Sequence, residues 1–333
     1  MQTRTYGELI DLIQSLIGAG TMLGDEYLKI ANFINRRYSE AYNTSPSWAR
    51  YIVGSEERIL YSILSSGLTG GDAHSNSYYY LLGDDSNGNA VYKSRNTHSS
   101  NNFIIAYHTT SNKWRLLESA SSSISVSSEG VVSFTDGTIL ATSSTTNDSS
   151  PLDVFSWGNI GGVSGTLKLT SKRIVLYDDA EGNDINEFIR IHRKRAFFNN
   201  SAIEYDFFAD VDGANILNVV NDNDSEVFVT YKIPLTLFTI AVSDPVVADD
   251  FINGGTTNGA ANRALTVPLE FFNYIAHASY ADFLRLEGKR EEAQVEEAVA
   301  RGYLNTELEK IDIRSNNNQV TRRFSTYVNR QSR

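Results

Sequence analysis

The chain has 333 residues, 41% of them apolar, which is enough for a buried core and too many for a disordered chain. Its 40 Asp and Glu against 29 Lys and Arg leave a net charge of −11, which argues against the chain as a whole gripping duplex DNA by neutralising phosphates. Cysteine is absent, so disulfides, thiolate zinc sites, iron–sulfur clusters and cysteine nucleophiles are excluded together. No apolar run approaches the ~18 residues of a membrane span. Glu8 and Asp11 interrupt the first apolar stretch, so no signal peptide is expected. A length of this order suits about two domains.

The first zone, residues 6 to 48, reads as helical. Leu9, Ile10, Leu12, Ile13, Leu16 and Ile17 recur at steps of three and four, the period of an amphipathic helix. Gly18, Gly20 and Gly24 interrupt it, and Asp25 is the expected N-cap of a second helix. On that helix Tyr27, Ala31, Ile34, Tyr38 and Ala41 form one stripe, read as a core face, and Asn43-Thr44-Ser45-Pro46 ends it.

Residues 52 to 241 read as β-rich. With 18 Tyr and 16 Phe against 5 Pro, the composition suits pleated sheet. From Ser75 to Trp157, Ser, Thr, Asn and Gly dominate between short alternating runs such as Phe103-Ile104-Ile105-Ala106-Tyr107. Asp84-Asp85-Ser86-Asn87-Gly88-Asn89 is turn chemistry. The change of texture predicts a small all-β module, 75–158, inserted into another β region, 159–245. Beyond it Thr266-Val267-Pro268 is the expected start of a helix carrying Phe272, Ile275, Ala276, Ser279, Tyr280 and Phe283 on one face. After Gly288 a second helix runs to Ile311, with Glu297 and Arg301 as an i,i+4 surface pair. The Asn-rich, arginine-bearing tail, 312–333, reads as an extended arm too polar to order by itself.

Catalytic patterns fail where their chemistry would sit. Gly254 to Gly259 has glycines at phosphate-loop spacing, but Ala260-Ala261 replaces the required Lys and hydroxyl, leaving a flexible loop. Gly162-Val163-Ser164-Gly165 is one residue short of a nucleophile elbow. Asp210-Val211-Asp212-Gly213 misses the first ligand of a calcium loop, because Phe208 occupies that position, and reads instead as a hairpin turn. The five histidines never fall four apart on a helix, and His192 is expected on a solvated basic strand. Its neighbours Arg190, Arg193, Lys194 and Arg195 suit either phosphate or, preferred in a chain of net charge −11, the acids of another subunit. No catalytic residue, metal or cofactor is expected.

Three stretches carry a resemblance to a known family. Ile30 to Tyr38 with Ala41-Tyr42 and Trp48 resembles the opening of head-to-tail adaptor (connector, neck) proteins of tailed bacteriophages. So do Glu187 to His192 with Val227-Phe228-Val229-Thr230-Tyr231-Lys232, and Ala278 to Arg285 leading to Glu291-Glu292-Ala293. The resemblance implies an α+β fold in which N-terminal helices (1–60) and C-terminal helices (264–311) form a core around a channel, with the β-rich middle outside. It implies a homo-oligomeric ring, of about twelve copies, in the virion neck between the portal and a tail or nozzle protein. Genomic DNA would pass without specific binding, which an acidic wall favours. It also implies that the arm 312–333 docks on the portal, with Phe324 and Tyr327 as anchors and Arg322 and Arg323 pairing with carboxylates. A competing expectation is a glycan-binding or decoration protein acting through the 75–158 module, whose Tyr78, Tyr79, Tyr80, Tyr92 and Trp114 would stack on sugars.

Overall fold

The computed structural model describes residues 2–18, 22–135, 137–177, 184–193, 204–209, 216–220, 226–252 and 256–331; for 209, 226 and 312–331 it describes the backbone alone. Two compact units make up the chain: residues 1–52 with 232–333, and residues 53–231. In chain order the first unit opens with β1 (Thr3–Thr5), α1 (Tyr6–Ile17) and α2 (Gly24–Asn43). The second holds β2 (Ile52–Ile59), β3 (Tyr61–Thr69), β4 (Tyr78–Asp84), β5 (Ala90–His98), β6 (Asn101–His108), β7 (Lys113–Ala120), β8 (Ile124–Val126) and β9 (Val132–Phe134). It continues with β10 (Thr138–Ser143), β11 (Trp157–Asn159), β12 (Ser164–Leu176), β13 (Glu187–His192), β14 (Phe207–Ala209), β15 (Ile216–Val219) and β16 (Glu226–Lys232). The first unit then resumes with α3 (Asp249–Ile252), α4 (Thr257–Ala264), β17 (Thr266–Pro268), α5 (Leu269–Leu286) and α6 (Arg290–Gln331).

The fold is therefore mixed α and β, with a large antiparallel sheet. Ten strands pair in the order β11-β10-β7-β6-β5-β4-β3-β12-β15-β14, beside a three-stranded sheet β13-β16-β2 and the hairpin β8-β9. Strand alternation assigns the two faces. Phe103 and Ile105 of β6 join Tyr79, Trp114, Leu116 and Leu140 in one apolar cluster. Ile104 and Ala106, one residue out of phase, join Val91 and Val132 in another. At residue 75 the ladder does not break: β4 pairs with β3 from Leu64↔Tyr78 to Tyr61↔Tyr80. Backbone hydrogen bonding ignores side-chain composition, so the Ser- and Thr-rich strands extend the sheet of β3 and β12.

Helix α1 starts at a reciprocal cap in which the Thr5 hydroxyl accepts from the Glu8 amide and the Glu8 carboxylate accepts from the Thr5 amide. It ends at Gly18, whose φ of +67° is a left-handed conformation suited to glycine. Asp25 is not the cap of α2. The helix begins one residue earlier, and Glu26 reaches back to accept from the Leu23 amide. Thr266–Pro268 are likewise not helical: they pair with Thr3–Thr5 as β17 and β1, and α5 starts at Leu269 behind Pro268.

One apolar cluster unites the helices of the first unit, drawing Leu9 and Ile13 from α1, Tyr27 and Ile34 from α2, Phe271 and Ile275 from α5, and Leu304 from α6. Phe271 meets Trp48 edge-on at 4.7 Å and stacks on Tyr51 at 6.2 Å. The tail is helical where an extended arm was expected, since α6 continues unbroken to Gln331. Nucleation dominates the cost of a helix, and propagation from an anchored one is cheap even through asparagines.

Candidate functional site

Three helices of the first unit each carry a charge at a core position. On α2, Ile30, Ile34, Arg37 and Ala41 follow steps of four, three and four, so Arg37 lies within the buried stripe. Ile275, Ser279 and Asp282 do the same on α5, and Ala293, Glu297, Ala300 and Leu304 on α6. The three meet. Arg37 donates Nε and Nη2 to the two Asp282 oxygens, both at 2.8 Å, a bidentate fork. Its remaining bonds run from Nη2 to Glu297 Oε2 at 2.7 Å, and from Nη1 to Glu297 Oε1 at 3.2 Å and Glu40 Oε2 at 2.7 Å. Five hydrogen bonds thus occupy the five donors of the guanidinium.

Further cations close the network. Arg36 contacts Asp282, and Arg285 donates to Asp282 at 2.8 Å and to Glu297 at 3.0 Å. Glu297 also lies 3.5 Å from Arg301, so the expected surface pair is one edge of a largely buried cluster. Burial opposes ionisation of Asp282, yet hydrogen bonds from Arg37 and Arg36 hold its carboxyl below the usual range. For Glu297 burial again opposes charge, and the field of Arg37 with bonds from Arg285 wins, so its carboxyl is also lowered. Burial by itself would lower Arg37, but the bonds to Asp282 raise it.

A second buried cation, Lys232, stands where the first unit resumes and packs on the end of α2. Lys232 donates Nζ to the Tyr42 and Ser45 carbonyls, each at 2.9 Å, with Nζ 3.7 Å above the Tyr42 ring. This is favourable chemistry for a cation, because the last carbonyls of a helix carry its negative pole. Arg37 and Lys232 were legible only as members of their stretches, and Glu297 only as half of a surface pair. Their signal was a charge occupying a slot of an apolar stripe.

What this arrangement does chemically is hold. Both carboxylates are saturated by fixed guanidiniums, so neither is poised to accept or release a proton near neutrality. Among the described residues no cluster of three His, Asp or Glu suits a metal ion, and no helix is long and apolar enough to cross a membrane. Two open clefts lie among the described residues. One of about 330 Å³ is lined by Trp48, Leu269, Ile311 and the Arg50–Glu270 ion pair, and one of about 470 Å³ by His108, Arg115 and Phe134.

The sequence candidates fare unequally. Arg190 and Arg193 are exposed at β13, an edge strand of its sheet, while Lys194 and Arg195 lie outside the described residues. His192 is buried, not solvated; it ends β13 and is bridged to Glu204. Arg322, Arg323, Phe324 and Tyr327 all sit on α6, with their side chains outside the description. Of the sugar-stacking set, Tyr79 and Trp114 are buried while Tyr78, Tyr80 and Tyr92 are half-buried, and Trp114 Nε1 donates to the Asp148 carbonyl at 3.0 Å. Tyr78 and Tyr80 pack on Tyr61, and Tyr92 packs on Trp114. Ser164 opens a strand and not an elbow, and Gly259 belongs to α4, whose cap Thr256 accepts from its amide at 2.9 Å. The loop 210–215, and Gly254 with Gly255, lie outside the described residues.

Comparison with family models, with curated proteins and with solved structures finds no match to this chain.

Proposed function

We propose that this protein is a head-to-tail adaptor of a tailed bacteriophage: a structural component that forms a ring between portal and tail and extends the DNA channel. The observation that carries the reading is the Arg37–Asp282 fork. Arg37 belongs to one of the stretches that resemble adaptors and Asp282 to another, 245 residues apart in sequence. Lys232, from a third such stretch, reaches the carbonyl of Tyr42 in the first. Side chains of these resembling stretches thus brace one helical core, formed by N- and C-terminal segments, with the β-rich middle as a separate unit.

The chemistry supports the same reading. Charges saturated by one another brace surfaces, and catalysis needs groups left free to change protonation. An acidic ring, in turn, would let duplex DNA slide without adhering.

The test is the mass of the assembled particle, followed by its addition to portal-bearing heads that lack tails. The reading expects a closed ring, of about twelve copies, that converts those heads into tail-accepting particles. A protein that neither joins such heads nor restores tail attachment would overturn it.

A further inference from the structure

We infer that the C-terminal half of α6 docks on an acidic, apolar patch of a second copy of this chain, so that each copy is strapped to its neighbour by a helix. The inference rests on the ring reading for its setting, and on the geometry of the first unit for its content.

The helix outruns its support. At 1.5 Å per residue the 18 residues of α5 span about 27 Å and the 42 of α6 about 63 Å. The two run antiparallel, since His277 meets both Glu296 and Tyr303 while Arg285 meets Glu297. The start of α5 therefore lies level with Lys310, where Leu269 and Lys310 line one cleft. Beyond Ile311 about 30 Å of helix continues past the end of α5. While it stays helical it cannot fold back onto its own unit.

Helical spacing gives this overhang two characters. Ile313, Val320, Phe324 and Tyr327, at steps of seven, four and three, share one stripe. Arg314, Arg323 and Arg330 occupy positions on either side of it, and Arg322 lies on the opposite face. Four arginines against the single Asp312 make 312–331 a basic segment in a chain of net charge −11.

The complement lies in the same unit. Leu23 is 73% exposed and Val247 40% exposed. They belong to touching segments, for Gly24 sits so close to the Val246 carbonyl that a side chain there would clash. Exposed Asp25, Asp244 and Asp249 surround them in sequence. An apolar stripe edged by arginines matches an apolar patch edged by aspartates. Arm and patch are different surfaces, so their pairing is heterologous, the kind of contact that closes into rings.

The experiment measures assembly of the full-length protein by sedimentation and light scattering. Arg323→Glu with Arg330→Glu is expected to weaken association by roughly tenfold or more. Arg322→Glu, the same kind of charge change on the far face, should act much less. Asp25→Arg with Asp249→Arg should weaken it as the arm variant does. Mixing the arm variant with the patch variant offers one native and one charge-swapped contact per pair, so association is expected to return in the mixture where each variant alone is weakened. Circular dichroism should show unchanged helix in every variant. Undiminished assembly of the arm variant, or equal loss from Arg322→Glu, would overturn the inference. So would an arm variant that still forms rings but no longer joins portal-bearing heads, which would assign the arm to the portal. A ring disrupted as predicted, from a protein that never joins heads, would sink the adaptor reading and leave this one standing.

Discussion

The two units reach stability by different routes. In the sheet unit the unifying element is the backbone ladder: β6 and β7 pair without interruption through eight residues, Asn101↔Ala120 to His108↔Lys113. Buried serines fill the gaps by bonding locally, as Ser65 does to the Ser75 carbonyl at 2.5 Å. In the helical unit backbone bonding is satisfied inside each helix, so side chains must choose how helices meet. Apolar packing there is non-directional, and Arg37, Asp282 and Glu297 add direction, because a fork fits a carboxylate in few orientations. A ladder tolerates polar, low-complexity sequence. A helix bundle needs particular residues at particular slots.

Removing Arg37 should break the comparison most severely. Arg37→Met would leave Asp282 and Glu297 buried without their main partner, costing about 3–5 kcal/mol in denaturant unfolding. The simultaneous change of Arg37→Met, Asp282→Leu and Glu297→Leu should recover most of that loss, because the penalty lies in the unpaired charge. If the triple variant is as unstable as the single one, packing and not charge governs the site.

In the sheet unit the corresponding lesion is a cavity. Ile105 is fully buried, and Ile105→Ala should cost about 2–5 kcal/mol. Hydrogen exchange is expected to rise along β5, β6 and β7 while amides of α2 and α5 keep their protection. Uniform loss of protection would show that the two units unfold together.

Acid should distinguish the units as well. Asp282 and Glu297 have folded carboxyl pKa values below their unfolded ones, which lie near ~3.9 and ~4.3. Their stabilisation is therefore complete above that range and is lost as pH falls below it, through the depressed folded values. Asp250 behaves alike: burial opposes its charge, but bonds from Ser243 hold it low. Thermal scans from neutrality to acid should show the helical unit losing stability first. Arg37→Met should flatten that slope.

The smallest expected effect is at a helix start. Thr5→Ala removes the hydroxyl half of the α1 cap and should cost about 1 kcal/mol. Thr5→Ser should restore it, and equal stability of all three proteins would show that pairing of β1 with β17 holds that end without the cap.

Local patterns were legible wherever one neighbour decides the outcome. The stripe Tyr27, Ala31, Ile34, Tyr38 and Ala41 is buried as its spacing required, because a helix with an apolar side must cover it. The Asp85–Asn89 turn was readable too, since Asp85 Oδ1 accepts from the Asn87 and Asn89 amides in a local bond. At residue 75 a polar texture suggested a new module, and there β4 pairs with β3 in one sheet. Tyr79 and Trp114, offered as sugar-stacking aromatics, are buried, because exposure depends on which face of a sheet a residue takes.

By itself, then, the sequence determined helices α1, α2, α5 and the first half of α6, their buried stripes, a local turn and the absence of thiol chemistry, because each depends on residues a few positions apart or on composition. Only the tertiary structure decided that Arg37 belongs with Asp282 and Glu297, that Thr3–Thr5 pairs with Thr266–Pro268, and that strands of unlike texture share one sheet. Each of these joins groups distant in the chain. A charge in an apolar stripe announces that a partner must exist, since it could not otherwise be buried. Which of the chain's 40 acids supplies that partner is settled only when the helices pack.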